Sequence, residues 1–284
     1  LMLEKADEAL AGGNTKYTAG AMRFAYDSTA DLLPLLKNAS DPRLGRTDFG
    51  KYSATKFADD LLNFNGGRPL SPEQRRLIDQ SLPTMQWLAT HGVTFEPIWS
   101  RQSFEKNGKI IFWGGLTLAA ENEGVGLFEM ERDAFHRLGG EIRYQAGVTG
   151  LVSRDGQVKG IELGPDTLAA DAVILACGGF EASDDLRRDW MGGNWQRAKV
   201  RGTPHNTGDG LKMARAIGAK AHGLYNGCHA TPMDLYMADF GGLHLPPAQR
   251  KNFRKICYFL GVMLNADGKR FVDEGKDFRN YTYA

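Results

Sequence analysis

The chain opens Leu1-Met2-Leu3-Glu4-Lys5 and continues, a few residues on, as Gly12-Gly13-Asn14-Thr15-Lys16-Tyr17-Thr18-Ala19-Gly20. An apolar run that closes on a carboxylate is how the second strand of a dinucleotide-binding βαβ unit ends, with the acid placed to accept a ribose hydroxyl. In that unit the acid follows a Gly-rich phosphate turn by about twenty residues. Here nothing like GxGxxG precedes or replaces it, so the expectation is an incomplete unit that begins at its second strand, with Glu4 and Lys5 at the strand's end. Taken alone the pentapeptide reads as a frayed helix or strand start. The glycine-rich stretch behind it decides the reading: paired glycines let backbone approach a flat ring and a pyrophosphate, and Asn14 and Thr15 set short polar groups beside exposed amides.

Composition sets bounds on function. At 284 residues the chain can bury a sizeable core in one large or two smaller domains. A formal charge of +1, with scattered lysines and arginines, carries no nucleic-acid footprint. Cys177, Cys228 and Cys257 are too few and too dispersed for a disulfide framework or a CxxC metal site, which fits a reducing, cytoplasmic compartment and no metal. No apolar run approaches the roughly eighteen residues of a membrane-spanning helix.

Residues 27 to 98 read as helices joined by polar turns. Ser71-Pro72-Glu73 is a helix start, with Ser71 capping, and helix-period aromatics such as Trp87 read as core. Leu127 to Leu138 reads as a helix stopped at Gly139-Gly140. The segments 141–144, 147–154 and 158–163 then read as a hairpin with an added strand, turning at Asp155-Gly156. Asp171 to Ala176 reads as a buried strand opening into Cys177-Gly178-Gly179-Phe180, with Cys177 a small buried hydrophobe. Thr207-Gly208-Asp209-Gly210 leads the helical run from Leu211 to Ile217, with Asp209 a helix cap or a cofactor contact.

The run GGNTKYTAGAMRFA from Gly12 to Ala25 resembles the flavin-approach loop of the soluble fumarate reductase and succinate dehydrogenase flavoproteins, which reads much like GGNTKLAAGGMNAA. ACGGF at 176–180 resembles the family's ATGGF turn, and TGDG follows in the family's order. The resemblance implies an α/β fold: a Rossmann-like FAD-binding domain over 1–225 and the start of a substrate-capping domain over 226–284. It implies FAD held by Glu4, Lys5, Gly12, Gly13, Asn14, Thr15, Ala19, Gly20, Val148, Ala176, Gly178, Gly179, Asp209 and Gly210. Members that attach flavin covalently carry a histidine in the loop; none stands between Gly12 and Arg23, so the flavin is expected to be noncovalent.

The chemistry is expected later in the chain. Asn226-Gly227-Cys228-His229-Ala230-Thr231-Pro232 resembles the His-Pro-Thr segment whose histidine grips a substrate carboxylate, and an imidazole N–H suits an anion. Gly261 to Glu274 resembles the family's GxLVNxxGxRFVxE hairpin, after which Arg279 matches the arginine that serves substrate protonation. Glu274 and Arg279 carry the functional expectation, and Asp267-Gly268 is a turn in any case. The fumarate reductases' Thr-Glu-x-x-Arg relay is absent, and 251–260 with DEGKDFRNYTYA looks closest to tricarballylate dehydrogenases. That implies desaturation of a tricarboxylate to cis-aconitate, with an electron-transfer protein reoxidising the flavin. A protonated guanidinium is a demanding base, so Arg279 either takes the proton or clamps developing charge. Two alternatives stand beside this: a ketosteroid-type desaturase on the same fold, and a flavin-free binding or assembly module.

Overall fold

A computed structural model of the chain describes residues 1–100, 102–223, 225–228, 230, 232–241 and 260–274. They form two compact units, one of residues 15–141 and one of residues 1–14 with the chain from 142 onward.

The 15–141 unit owes its form to an aromatic core. Phe24, Phe49, Phe95, Leu32 and Leu118 are essentially inaccessible to water, and burying each such side chain stabilises by about 1.5–3 kcal/mol. Two three-stranded sheets run through the unit, one of them supplying Phe95 and Leu118. In one, Leu118–Ala120 lies antiparallel between Ala21–Met22 and Phe95–Pro97; in the other, Lys109–Phe112 pairs parallel with Thr47–Asp48 and antiparallel with Ser103–Lys106. Helices Ala54–Phe64, Pro72–Thr90 and Glu123–Arg137 complete the unit.

The Pro72–Thr90 helix starts where the sequence dictates. Ser71 accepts the Gln74 amide and Gln74 returns a carbonyl to the Ser71 amide, closing a capping box with Pro72 in the first turn. Its buried stripe is Ile78, Ser81 and Met85. Trp87, expected in the core, is 57% exposed. Two residues past Met85 is about 200° round the helix, which turns it to water, where it stacks on His91 one turn on at 4.3 Å. The expectation of helices throughout 27–98 also needs correcting for the strands Thr47–Asp48 and Phe95–Pro97, short segments whose ladder partners lie far along the chain.

In the other unit, Met2–Leu3 pairs in parallel with Ile142–Arg143. This corrects the expected hairpin: Ile142–Arg143 leaves it, and Asp166–Ala169 is the strand added to Gly150–Arg154 and Gln157–Leu163. A parallel partner requires a long crossover, which the intervening chain supplies. The Asp155-Gly156 turn is as expected, with φ of 53° and 74°, the left-handed pair that a two-residue hairpin demands.

The larger correction is Asp171 to Ala176. It forms no strand, and Ile174 is 91% exposed. A run apolar on both faces is buried only when layers cover both, and no described segment pairs with it. Cys177 likewise is exposed rather than buried as a residue, although its Sγ is turned inward and sits 3.1 Å from where a Gly210 Cβ would stand.

Candidate functional site

Most of the expected cofactor residues meet inside the 1–14 and 142-onward unit. Glu4 ends the first strand, donating its amide to Arg143 at 2.9 Å, and its Oε1 accepts the Ala6 amide at 2.7 Å. No other hydrogen bond to that carboxylate exists among the described residues. The Glu4 carbonyl accepts the Ala146 amide at 2.9 Å and the Ala6 carbonyl the Gln145 amide at 2.9 Å, which lays Gln145 to Gly147 alongside Glu4 to Ala6.

Lys5 reaches across to the entrance of the Asp209–Ala216 helix, donating to Asp209 Oδ2 at 2.6 Å and to Thr207 Oγ1 at 3.0 Å. The helix cap itself is Gly208, in the left-handed region at φ 78°, so Asp209 stands in the first turn with its side chain committed to Lys5. Burial acts to raise the Asp209 carboxyl, but the Lys5 and Thr207 hydrogen bonds outweigh it and hold the group below its ordinary value. The Cys177 thiol is pushed up, first by burial and next by the Asp209 charge, so it is no activated nucleophile.

The glycine turns face this entrance. Gly208 donates its amide to the Gly179 carbonyl at 3.0 Å. Gly178 has φ +72°, and a Cβ there would stand 2.5 Å from Asn206 Nδ2, so only glycine fits. A Cβ on Gly210 would lie 3.0 Å from that of Cys177. Asn14, following Gly12 and Gly13, accepts the Thr203 amide at 2.8 Å and donates to Glu181. Glu4, Lys5, Asn14, Gly178, Gly179, Asp209 and Gly210 thus belong to one connected set, while Val148 and Ala176 lie in the same unit without a contact that joins them to it.

Thr15, Ala19 and Gly20 belong to the other unit. Gly20 is buried at φ +63°, and a Cβ there would meet the Glu123 backbone at 2.8 Å. The Ala120 amide donates to the Gly20 carbonyl at 2.9 Å, and the Gly124 amide to that of Thr18 at 3.3 Å. The loop therefore rests on the start of the Glu123–Arg137 helix, where Gly124 leaves the room it needs: a Cβ would stand 1.9 Å from the Thr15 carbonyl oxygen. A cavity of about 300 Å³ nearby is lined by Glu96 to Ser100, Ala119 and Glu123. Two carboxylates on its wall make it a poor seat for a polyanion.

Of the expected substrate groups, His229 and Arg279 lie outside the described residues, as does the 251–259 stretch. Glu274 is described and buried. Its Oε1 accepts the Met263 amide at 2.5 Å and its Oε2 accepts Arg270 Nε at 2.9 Å, so it straps the hairpin in which Leu264 bridges Arg270. The Arg270 guanidinium, then the Met263 amide, hold its carboxyl down at about 2. Among the described residues no His, Cys, Asp and Glu cluster could hold a metal. Thr203, Asn206 and Glu181 are members of the site that sequence reasoning did not single out; Glu181, two residues past the glycine pair, was the available signal.

These residues suit FAD. Glu4 retains a carboxylate oxygen for hydroxyl donors, and the Asp209–Ala216 helix, with Gly208 and no side chain at its cap, presents its N-terminal amides.

The comparisons with known proteins agree with that chemistry. A family model described as FAD binding domain matches residues 32–283. The vinyl phenol reductase of Lactiplantibacillus plantarum is 26% identical over 300 residues, covering 100% of this chain and 53% of that protein. The 4-oxocyclohexanecarboxylate 2-dehydrogenase of Sinomonas cyclohexanicum is 30% identical over 127 residues, covering 44% of this chain and 21% of that protein. The chain therefore spans about half the length, or less, of these curated relatives. Among solved structures, the open conformation of a flavocytochrome c3 fumarate reductase superposes with a TM-score of 0.63 at 19% identity, covering 98% of this chain and 44% of the other. The 3-ketosteroid-Δ4-(5α)-dehydrogenase of Rhodococcus jostii does so at 0.62 and 18%, covering 99% and 57%. With the family model running through nearly the whole sequence and the fold shared with these flavoproteins, the chain belongs to the FAD binding domain family.

Proposed function

We propose that this chain is the FAD-holding part of an oxidoreductase that acts on a carbon–carbon bond of a di- or tricarboxylate, with tricarballylate, desaturated to cis-aconitate, as the first substrate to test. The observation that carries the reading is the convergence of Glu4, Lys5, Asn14, the Gly178-Gly179 turn and Asp209 in one connected set. FAD, when bound, supplies a two-electron acceptor for hydride. Glu4 would hold a ribose hydroxyl, and the amides at Gly12, Gly13, Gly178, Gly179 and Gly210 would approach the pyrophosphate and ring. Thr15, Ala19 and Gly20 would serve the flavin end.

His229 would grip one substrate carboxylate, and Arg279, permanently cationic, would clamp the charge that develops when the neighbouring carbon loses its proton. Glu274, committed to Met263 and Arg270, would hold the hairpin that leads to Arg279. In this reading the FAD-binding domain runs over 1–225 and the cap starts at 226. An electron-transfer protein reoxidises the flavin, and the enzyme works in the cytoplasm. No helix among the described residues is long and apolar enough to cross a membrane.

A second reading has a finding of its own: the relative matched along the entire chain is a vinyl phenol reductase, and a ketosteroid dehydrogenase shares the fold. That favours an apolar substrate without the carboxylate clamps. The deciding experiment is an absorbance scan of the purified whole protein, then anaerobic mixing with tricarballylate, succinate and a saturated ketosteroid, and of the reduced protein with a vinyl phenol. Flavin bleaching by a polycarboxylate is the expected result. Response only to the steroid or the vinyl phenol moves the assignment to the second reading, and a protein that is colourless and takes up no FAD sinks both.

A further inference from the structure

We propose that Glu181 is a positioning residue of the cofactor site: its carboxylate ties Asn14, beside the Gly12-Gly13 turn, to Asn206, beside the Gly178-Gly179 turn, and so sets the spacing at which both turns meet FAD. The inference rests on the FAD reading and adds to it a residue that touches no reacting atom.

One oxygen makes the tie. Oε1 of Glu181 accepts from Asn14 Nδ2 and, at 2.7 Å, from Asn206 Nδ2. The three residues are far apart in sequence, with separations of 167 and 25, so no local turn geometry explains the meeting. The Asn14 side chain and the Glu181 backbone are also held from behind. The Asn14 amide is oriented by the Thr203 N–H, which donates to its Oδ1 at 2.8 Å and so leaves Nδ2 facing the carboxylate. The Glu181 backbone carbonyl accepts Arg187 Nη1 at 2.5 Å, and Arg187 is itself only 6% exposed, held further by Asp184 at 2.6 Å and the Gln196 carbonyl at 3.1 Å.

The network is pressed against bare backbone. A Cβ on Gly178 would stand 2.5 Å from Asn206 Nδ2, one on Gly179 2.6 Å from Glu181 Oε2, and one on Gly202 2.1 Å from Asn14 Oδ1. The glycine pair expected at the cofactor is therefore the surface on which this tie is built. A carboxylate near a pyrophosphate is electrostatically unfavourable unless its charge is engaged. Two amide donors on one oxygen engage it, which makes Glu181 an acceptor whose shape matters more than its charge. Glutamine offers the same carbonyl oxygen at the same reach.

The test uses the whole protein stripped of FAD and titrated with FAD, reading the dissociation constant from flavin fluorescence quenching, beside the thermal midpoint of each apoprotein. Glu181→Ala should weaken FAD by about tenfold or more, since two part-buried amides lose the one oxygen they share and the two turns lose their tie. Glu181→Gln should stay within about threefold of the wild type, the rescue expected of an acceptor role. If Glu181→Ala does not fold, Asn206→Ala, which removes one donor and leaves Asn14 on Glu181, should weaken FAD by a fewfold. An FAD constant unchanged in the alanine variants, with only the thermal midpoint lowered, overturns the proposal, as does a glutamine variant as weak as alanine. A wild-type protein that takes up no FAD overturns the parent reading and this one with it, whereas wild-type binding with unaffected variants overturns this one alone.

Discussion

At the scale of single residues, the roles proposed for Glu4 and Arg279, one in holding cofactor and one in the chemistry, can be tested apart. Glu4→Ala should weaken FAD by roughly 1.5–3 kcal/mol, the range for a hydrogen bond to a charged group; flavin retained on dialysis as in wild type would remove it from the site. Arg279→Lys should keep a point charge but lose the planar fork, so turnover of tricarballylate should collapse while flavin content stays near normal. Unimpaired turnover would leave Arg279 outside the mechanism. Some of this was legible from residue type alone. A carboxylate ending an apolar run and an Asp between two glycines each have few uses, and both Glu4 and Asp209 lie in the connected set. Their partners were not legible. Lys5 meets Asp209 across 204 positions and Asn14 meets Glu181 across 167, and no pattern in one sequence records such a distance. Cys177 was misread because its neighbours suggested burial that the surrounding chain does not provide.

At the scale of elements, local chemistry was the reliable guide. The Ser71 cap, the Gly139-Gly140 stop and the Asp155-Gly156 turn are set by a few neighbouring residues, and each was readable. Ser71→Ala should cost about 1 kcal/mol, read as a lower denaturant midpoint with an unchanged slope. Elements that depend on distant partners were less readable: Thr47–Asp48 is a strand because Lys109–Phe112 lies beside it, and Ile142–Arg143 joins Met2–Leu3 rather than its nearer neighbour. The hairpin strap offers a pH test. Glu274 has its carboxyl lowered from 4.5 to about 2, so the strap is at full strength above 4.5 and is lost as pH falls through about 2. The Met263 amide resonance should report this, holding its position at pH 4 and shifting only near the lower value. Movement centred on 4.5 would show that the bond to Glu274 does not form in solution.

At the scale of the molecule, the two units are stabilised differently. The 15–141 unit carries the aromatic cluster, while among the described residues the buried apolar ones of the other unit are chiefly Ala6, Ala11, Ala146, Ile161, Met213 and Met237. Phe95→Ala should therefore be severe, about 3–5 kcal/mol in chemical denaturation; a loss under 1 kcal/mol would contradict its burial. In the unit of residues 1–14 and 142 onward, part of an apolar run faces water. Ile174 and Leu175 present their side chains to water with no strand paired to them among the described residues, and such a segment is a template for pairing with other chains. Preparations of these 284 residues alone should form concentration-dependent aggregates by light scattering, and Ile174→Lys should suppress them by placing a charge where a neighbouring strand would have to pack.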